Sequence, residues 1–176
     1  MKQLIFILSA CAGLSLALCV KGQTAAADNK VSESITFSQK PNGPAVYGIF
    51  EGRTPCSEIS RQLGAKLPAD CDHLKWQIIF FRDSLTQQPT TYLLTTEMFE
   101  HKPLAGKWKI TRGTRNNPAA VVYVLETSLP GKSVYLLKGD ENVIFILDEK
   151  KNFMTGDRDF SYTLNRVHKV LHLSGQ

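Results

Sequence analysis

The chain lacks what most enzymes carry. No glycine-rich phosphate loop occurs in its 176 residues, and no histidine–serine or carboxylate pair stands in a motif context. Glu51, Glu58, Asp70 and Asp72 lie close in sequence without such a context, and "GDRD" at 156–159 reads as a charged turn. A non-catalytic protein without a cofactor is expected. There is also no lysine–arginine stripe, internal repeat or low-complexity tract. The 21 basic residues outnumber the 16 acidic ones, but they are scattered, so no nucleic-acid partner is expected. Cysteine is scarce: there are four, and Cys11 and Cys19 fall in the apolar start of the chain.

That start, "MKQLIFILSACAGLSLALCVKGQ", has Lys2, then an apolar run from Leu4 to Val20, then small and polar residues. This is the layout of an export signal over residues 1–22, with cleavage after Gly22 or Ala27. A single membrane anchor is the alternative. "LSAC", ending at Cys11, resembles a lipoprotein lipidation box, and "LALC", ending at Cys19, is a second candidate for a lipid anchor. Losing Lys2 and Lys21 with the signal leaves 19 bases against 16 acids, a net charge near +3. The exported chain would meet an oxidising compartment.

Residues 23–44 are small, polar and turn-rich and read as a flexible lead-in, with a short strand at Ser34–Phe37 as the alternative. From Ala45 on, apolar and polar residues alternate in short runs. Eight runs are expected to be strands: about 45–52, 73–83, 90–99, 106–113, 119–127, 132–138, 142–149 and 159–167. In "GKWKITRG", Trp108 and Ile110 share one face; in "FSYTLNR", Phe160, Tyr162 and Leu164 do. Short turns between successive runs predict a meander. Eight strands suffice to close an antiparallel barrel without edges. Runs such as "AVVYV" and "VIFIL" are apolar on both faces, which fits a plugged barrel end or a partner surface. A tail at 168–176 follows the barrel domain of 45–167.

One stretch breaks the alternation. "PCSEISRQLGAKLPADC" has Ile59 and Leu63 four apart, with Gly64 as a stop, and predicts a short helix between the first two strands. Cys56 and Cys71 flank it. A helix-turn can bring their α-carbons to the 5–6 Å or so that a disulfide needs. Closing a loop of this size contributes roughly 3 kcal/mol in the chain-entropy model. A structural disulfide is expected. A metal role, a redox role and two free thiols are the alternatives.

"YGIFEGRTPC" at 47–56, "GKWKI" at 106–110, "YLLKGDENVIFILDEKKN" at 135–152 and "YTLNR" at 162–166 occur in an order that resembles the N-terminal domain family of NlpE, an envelope lipoprotein. The resemblance covers about 45–167. It implies a small lipocalin-like β-barrel in the bacterial envelope, periplasmic or anchored to the outer membrane. It also implies a part in binding or sensing, linked to envelope stress or copper resistance. The chain departs from the family at its Pro-Cys-x-x-Cys: Ile59 stands where the second cysteine belongs. That puts copper sensing through this motif in doubt.

Other candidates come from the residues themselves. His73, Met98 and His101 carry soft ligands suited to copper. The end of one strand can meet the start of its hairpin partner there, although a surface histidine and an edge methionine are the simpler reading. His168 and His172, four apart in the tail, could share a helical face, or the tail could pack Val167, Val170 and Leu171 on the barrel. Trp76, Phe80, Tyr92, Trp108, Tyr123, Phe145 and Tyr162 are expected to face inward. They would either fill the barrel or line a cavity for one small ligand. Two functions follow. The first is an envelope protein that binds or senses a partner; the alternative is a soluble periplasmic carrier of a small apolar ligand.

Overall fold

The computed structural model describes residues 40–99 and 102–167. The chain runs through β1 (Val46–Thr54), α1 (Ser57–Leu63), β2 (Leu74–Arg82), β3 (Pro89–Thr96), a 3-10 turn (Glu97–Phe99), β4 (Leu104–Arg112), β5 (Val121–Glu126), β6 (Ser133–Lys138), β7 (Val143–Leu147) and β8 (Thr163–Arg166). Each strand pairs antiparallel with the next, and β8 returns to β1, so the sheet closes into a barrel. This is the expected eight-stranded all-β meander with one helix between its first two strands. The export signal, most of the lead-in and the tail lie outside the described residues.

Alternation decides what points inward. Leu74, Trp76, Ile78 and Phe80 on β2, Tyr92 and Leu94 on β3, Val134 and Leu136 on β6, and Ile144 and Ile146 on β7 are all buried in one core cluster. The helix closes one end. Ile59 and Leu63, one turn apart, drop into that core, and Gly64 ends the helix in the left-handed conformation at φ +71°. The Cys56–Cys71 disulfide, with α-carbons 6.2 Å apart, ties the start of the helix to the segment leading into β2.

Two glycines of β1 mark the seam with β8. A Cβ at Gly52 would stand 2.6 Å from the Thr163 carbonyl oxygen, and one at Gly48 would collide with the Arg166 guanidinium. At Gly52, where the neighbour is backbone, only glycine lets the two strands approach this closely. The seam itself is short, with Phe50 opposite Arg166 and Glu51 opposite Asn165.

Two expectations need correction. The third strand stops at Thr96, because Glu97 turns back and its carboxylate accepts the Lys75 backbone N–H at 2.7 Å. The last strand spans Thr163–Arg166 rather than 159–167. Asp157 accepts the Asp159 and Phe160 N–H groups, which curls the chain just before it. Ile110 lies on the Trp108 face of β4 but beyond the ring cluster, near the strand end, and is 50% exposed.

Candidate functional site

The barrel interior is the first place to look for a ligand. Six of the seven expected aromatics are there. Trp76 is fully buried and donates Nε1–H to Thr54 Oγ1 at 2.9 Å. The Tyr92 hydroxyl donates to the Glu126 carbonyl at 3.0 Å. Burial, and then the nearby Glu126 charge, push its pKa up to about 12. Trp108 donates to the Phe81 carbonyl at 2.6 Å. Tyr123 shares a 2.6 Å hydroxyl–hydroxyl bond with Tyr47, and burial first, then that bond, raise its pKa well above the usual tyrosine range. Tyr162 is buried beneath the helix end, and burial raises its pKa too.

The seventh, Phe145, is not in the interior. On β7 the inward positions are Ile144 and Ile146, so Phe145 takes the outer face, with its ring 5.6 Å from that of Phe153. A run apolar on both faces does not say which parity is inside, and the bulkiest residue here is outside.

The rings interlock across the barrel. Trp108 lies 4.8 Å from Phe80, 5.4 Å from Tyr123 and 5.2 Å from Tyr47, centroid to centroid. Phe50 packs edge-on against Phe80 at 5.8 Å. Such offset and edge-to-face pairs add packing energy beyond buried area. The sequence reading missed both Tyr47 and Phe50. Alternation from Gly48 and Gly52 could have found Phe50. Tyr47 points inward because the β1–β2 register slips between Val46 and Gly48, and no residue pattern announces that bulge.

Two of the three soft-ligand residues lie together. His73 and Met98 line one cleft of about 630 Å³ beside the disulfide, together with Leu67, Asp70 and Glu97. His73 Nδ1 lies 2.9 Å from the Asp72 carboxylate, and its ring packs 4.9 Å from Phe160. Met98 is buried against the core. His101 lies outside the described residues, as do His168, His172, Cys11 and Cys19. The sulfurs of Cys56 and Cys71 are bonded to each other and supply no thiolate. Among the described residues, no group of three or more histidine, cysteine, aspartate or glutamate side chains is placed to hold a metal.

The outer surface carries features that alternation alone does not predict. On β1 and β2, Ile49, Glu51, Gln77 and Ile79 face outward yet are buried. Gln77 donates to Glu51 at 2.8 Å, and the Lys40 ammonium stands 3.2 Å from the same carboxylate. On β5 to β7, Val122, Val124 and Leu147 form a second apolar cluster against Tyr135 and Leu137. Leu85, Ile110 and Phe153 are the large apolar side chains left exposed among the described residues.

No family model matches the chain, and neither a curated protein nor a solved structure matches it.

Proposed function

We propose that this is a non-catalytic binding or sensing protein of the bacterial cell envelope. It works through its outer surface, as a partner-recognition module of the NlpE-like kind its sequence resembles. The observation that carries this reading is the ring cluster of Tyr47, Phe50, Phe80, Trp108 and Tyr123, which packs across the barrel interior between β1, β2, β4 and β5. A carrier needs an interior space of a few hundred Å³ for its ligand. These rings stand where that ligand would sit, while Phe153, Ile110 and Leu85 offer apolar contact outside.

A hydrophobic fluorescent probe, N-phenyl-1-naphthylamine, tests the choice. It is titrated into the purified protein while tryptophan emission is followed. Trp76 and Trp108 sit inside, so a probe entering the barrel would quench them. The expected result is no saturable quenching. Stoichiometric quenching with probe uptake would make the protein a carrier.

Copper is the second reading, supported by His73 and Met98 lining one cleft. Its test is Cu(I) competition with a chromophoric chelator. Affinity that falls in the Met98→Leu and His101→Ala variants, with the fold intact, would favour it.

A further inference from the structure

We propose that the cleft between the β4–β5 loop, the end of β6 and the turn after β7 binds the anionic head of a single-chain amphiphile, such as a fatty acid or an alkyl phosphate. The inference rests on the reading that the barrel works from its outside, and it names a ligand class for one outer site.

The cleft holds about 330 Å³. That lies at the low end of small-molecule sites and suits a head group with its first few methylenes rather than a whole lipid. Its polar wall is cationic. Arg115, Lys138 and Lys151 line it, and no carboxylate does. Lys138 is already paired with Glu141. Among the described residues, Arg115 and Asn116 make no side-chain hydrogen bond or ion pair. Lys151 has its ammonium 5.6 Å over the Tyr135 ring and, among the described residues, no carboxylate partner. Two cations facing one concave space, with an amide beside them, are suited to a carboxylate or phosphate.

The turn that presents Lys151 is firmly built. Asp148 accepts the Lys150 and Asn152 backbone N–H groups at 2.8 Å each, and the Asn152 side-chain amide at 2.8 Å. Lys151 is held at φ +59°, a conformation that glycine would adopt at lower cost.

The apolar wall supplies the rest. Leu137, Ala120 and Phe153 line the same cleft, and Phe153 is 63% exposed. Phe145 beside it, and Leu137 with Tyr135, extend this apolar surface over the outside of β6 and β7. An alkyl chain leaving the cationic pocket would lie along it, so charge and apolar surface are arranged in sequence.

Isothermal titration of the purified protein with dodecyl phosphate, kept below its micelle concentration, tests the proposal. Parallel titrations use inorganic phosphate, a neutral dodecyl glycoside, and phosphatidylcholine vesicles with and without phosphatidylglycerol. One site that prefers dodecyl phosphate over both the phosphate and the glycoside is expected. Arg115→Gln and Lys151→Gln should each weaken it roughly tenfold, the loss of one charge-assisted contact. Phe153→Ser should weaken dodecyl phosphate binding, and Lys66→Gln, at the helix end, should not. All four changes are on the surface, and near-ultraviolet circular dichroism checks the fold. The proposal is overturned by no binding, by equal affinity for phosphate or the glycoside, by binding to anionic vesicles alone, or by indifference to Arg115 and Lys151. Dodecyl phosphate binding that quenches Trp76 and Trp108 would place the ligand inside and sink the outer-surface reading itself. Simple absence of binding leaves that reading standing.

Discussion

Arg166, on the last strand, grips Tyr47, on the first. Its Nη1–H donates to the Tyr47 carbonyl at 2.8 Å, and its guanidinium carbon stands 5.5 Å from the centre of the Tyr47 ring. The same group lies 4.6 Å over the Phe50 ring and donates through Nε to the Glu141 carbonyl. One side chain thus joins the seam, the ring cluster and the β6–β7 turn. Arg166→Ala should lower stability by about 2–3 kcal/mol, as charged hydrogen bonds and a cation–π contact are lost together. Arg166→Lys should recover only part of this, because lysine lacks the planar fork. Urea unfolding followed by tryptophan emission measures both, and a wild-type midpoint for Arg166→Ala would refute the role.

The disulfide closes the loop around α1. Reduction, or the paired change Cys56→Ser and Cys71→Ser, should cost about 3 kcal/mol. In a domain of this size that is a fall of roughly 10 °C in Tm. The barrel should stay folded, since the helix still buries Ile59 and Leu63. Free thiols in the unreduced protein, found by alkylation and mass measurement, would contradict the cross-link.

Alkali should unfold the protein through its tyrosines. Burial raises the pKa of Tyr123, and holds that of Tyr92 at about 12. An unfolded tyrosine ionises near 10. The stability these groups contribute is therefore complete below about pH 10 and is lost as pH climbs toward the folded values. Tyrosinate absorbance at 295 nm should show a late group of ionisations that coincides with unfolding by circular dichroism. Tyr123→Phe should remove part of it. Complete ionisation near pH 10 with the fold intact would contradict the buried placement.

At the acid end the turn after β7 is the place to look. Burial alone would raise the Asp148 pKa, but the hydrogen bonds from Asn152 and Lys150 outweigh it and leave it lowered. The carboxylate's contribution is present above the ordinary aspartate range and fades as pH falls through the lowered value. Asp148→Ala should loosen residues 148–152, seen as faster amide exchange there, and weaken any ligand held by Lys151.

The proposed export should leave its own record in the mass of the chain. Intact-mass measurement from a bacterial envelope fraction is expected to give a chain beginning at Gln23 with one disulfide. A diacylated or triacylated chain beginning at Cys11 or Cys19 would make the protein lipid-anchored instead.

Most of the barrel was legible because its strands pay for burial in a strict two-residue period. Trp76, Phe80, Tyr92, Trp108 and Tyr123 sit inside as alternation placed them. The helix was legible from Ile59, Leu63 and Gly64, and the disulfide from two cysteines flanking it. The misses share a cause: they depend on neighbours distant in sequence. Tyr47 turns inward at a register slip against β2, Phe145 turns outward because Ile144 and Ile146 fill the inner face, and β8 is shortened by a turn that Asp157 organises. The outer cleft went unread for the same reason. Arg115, Lys138, Lys151 and Phe153 come from separate turns, and no local pattern joins them.

The seam between β1 and β8 also sets the order of assembly. Tyr47 and Arg166 are 119 residues apart, so the barrel cannot close until almost the whole chain is free to fold. Before that moment β1 and β7 are two bare edges, able to pair with another copy. Closure at such long range is slow. The hazard for this protein lies less in losing the finished barrel than in the interval before Arg166 arrives.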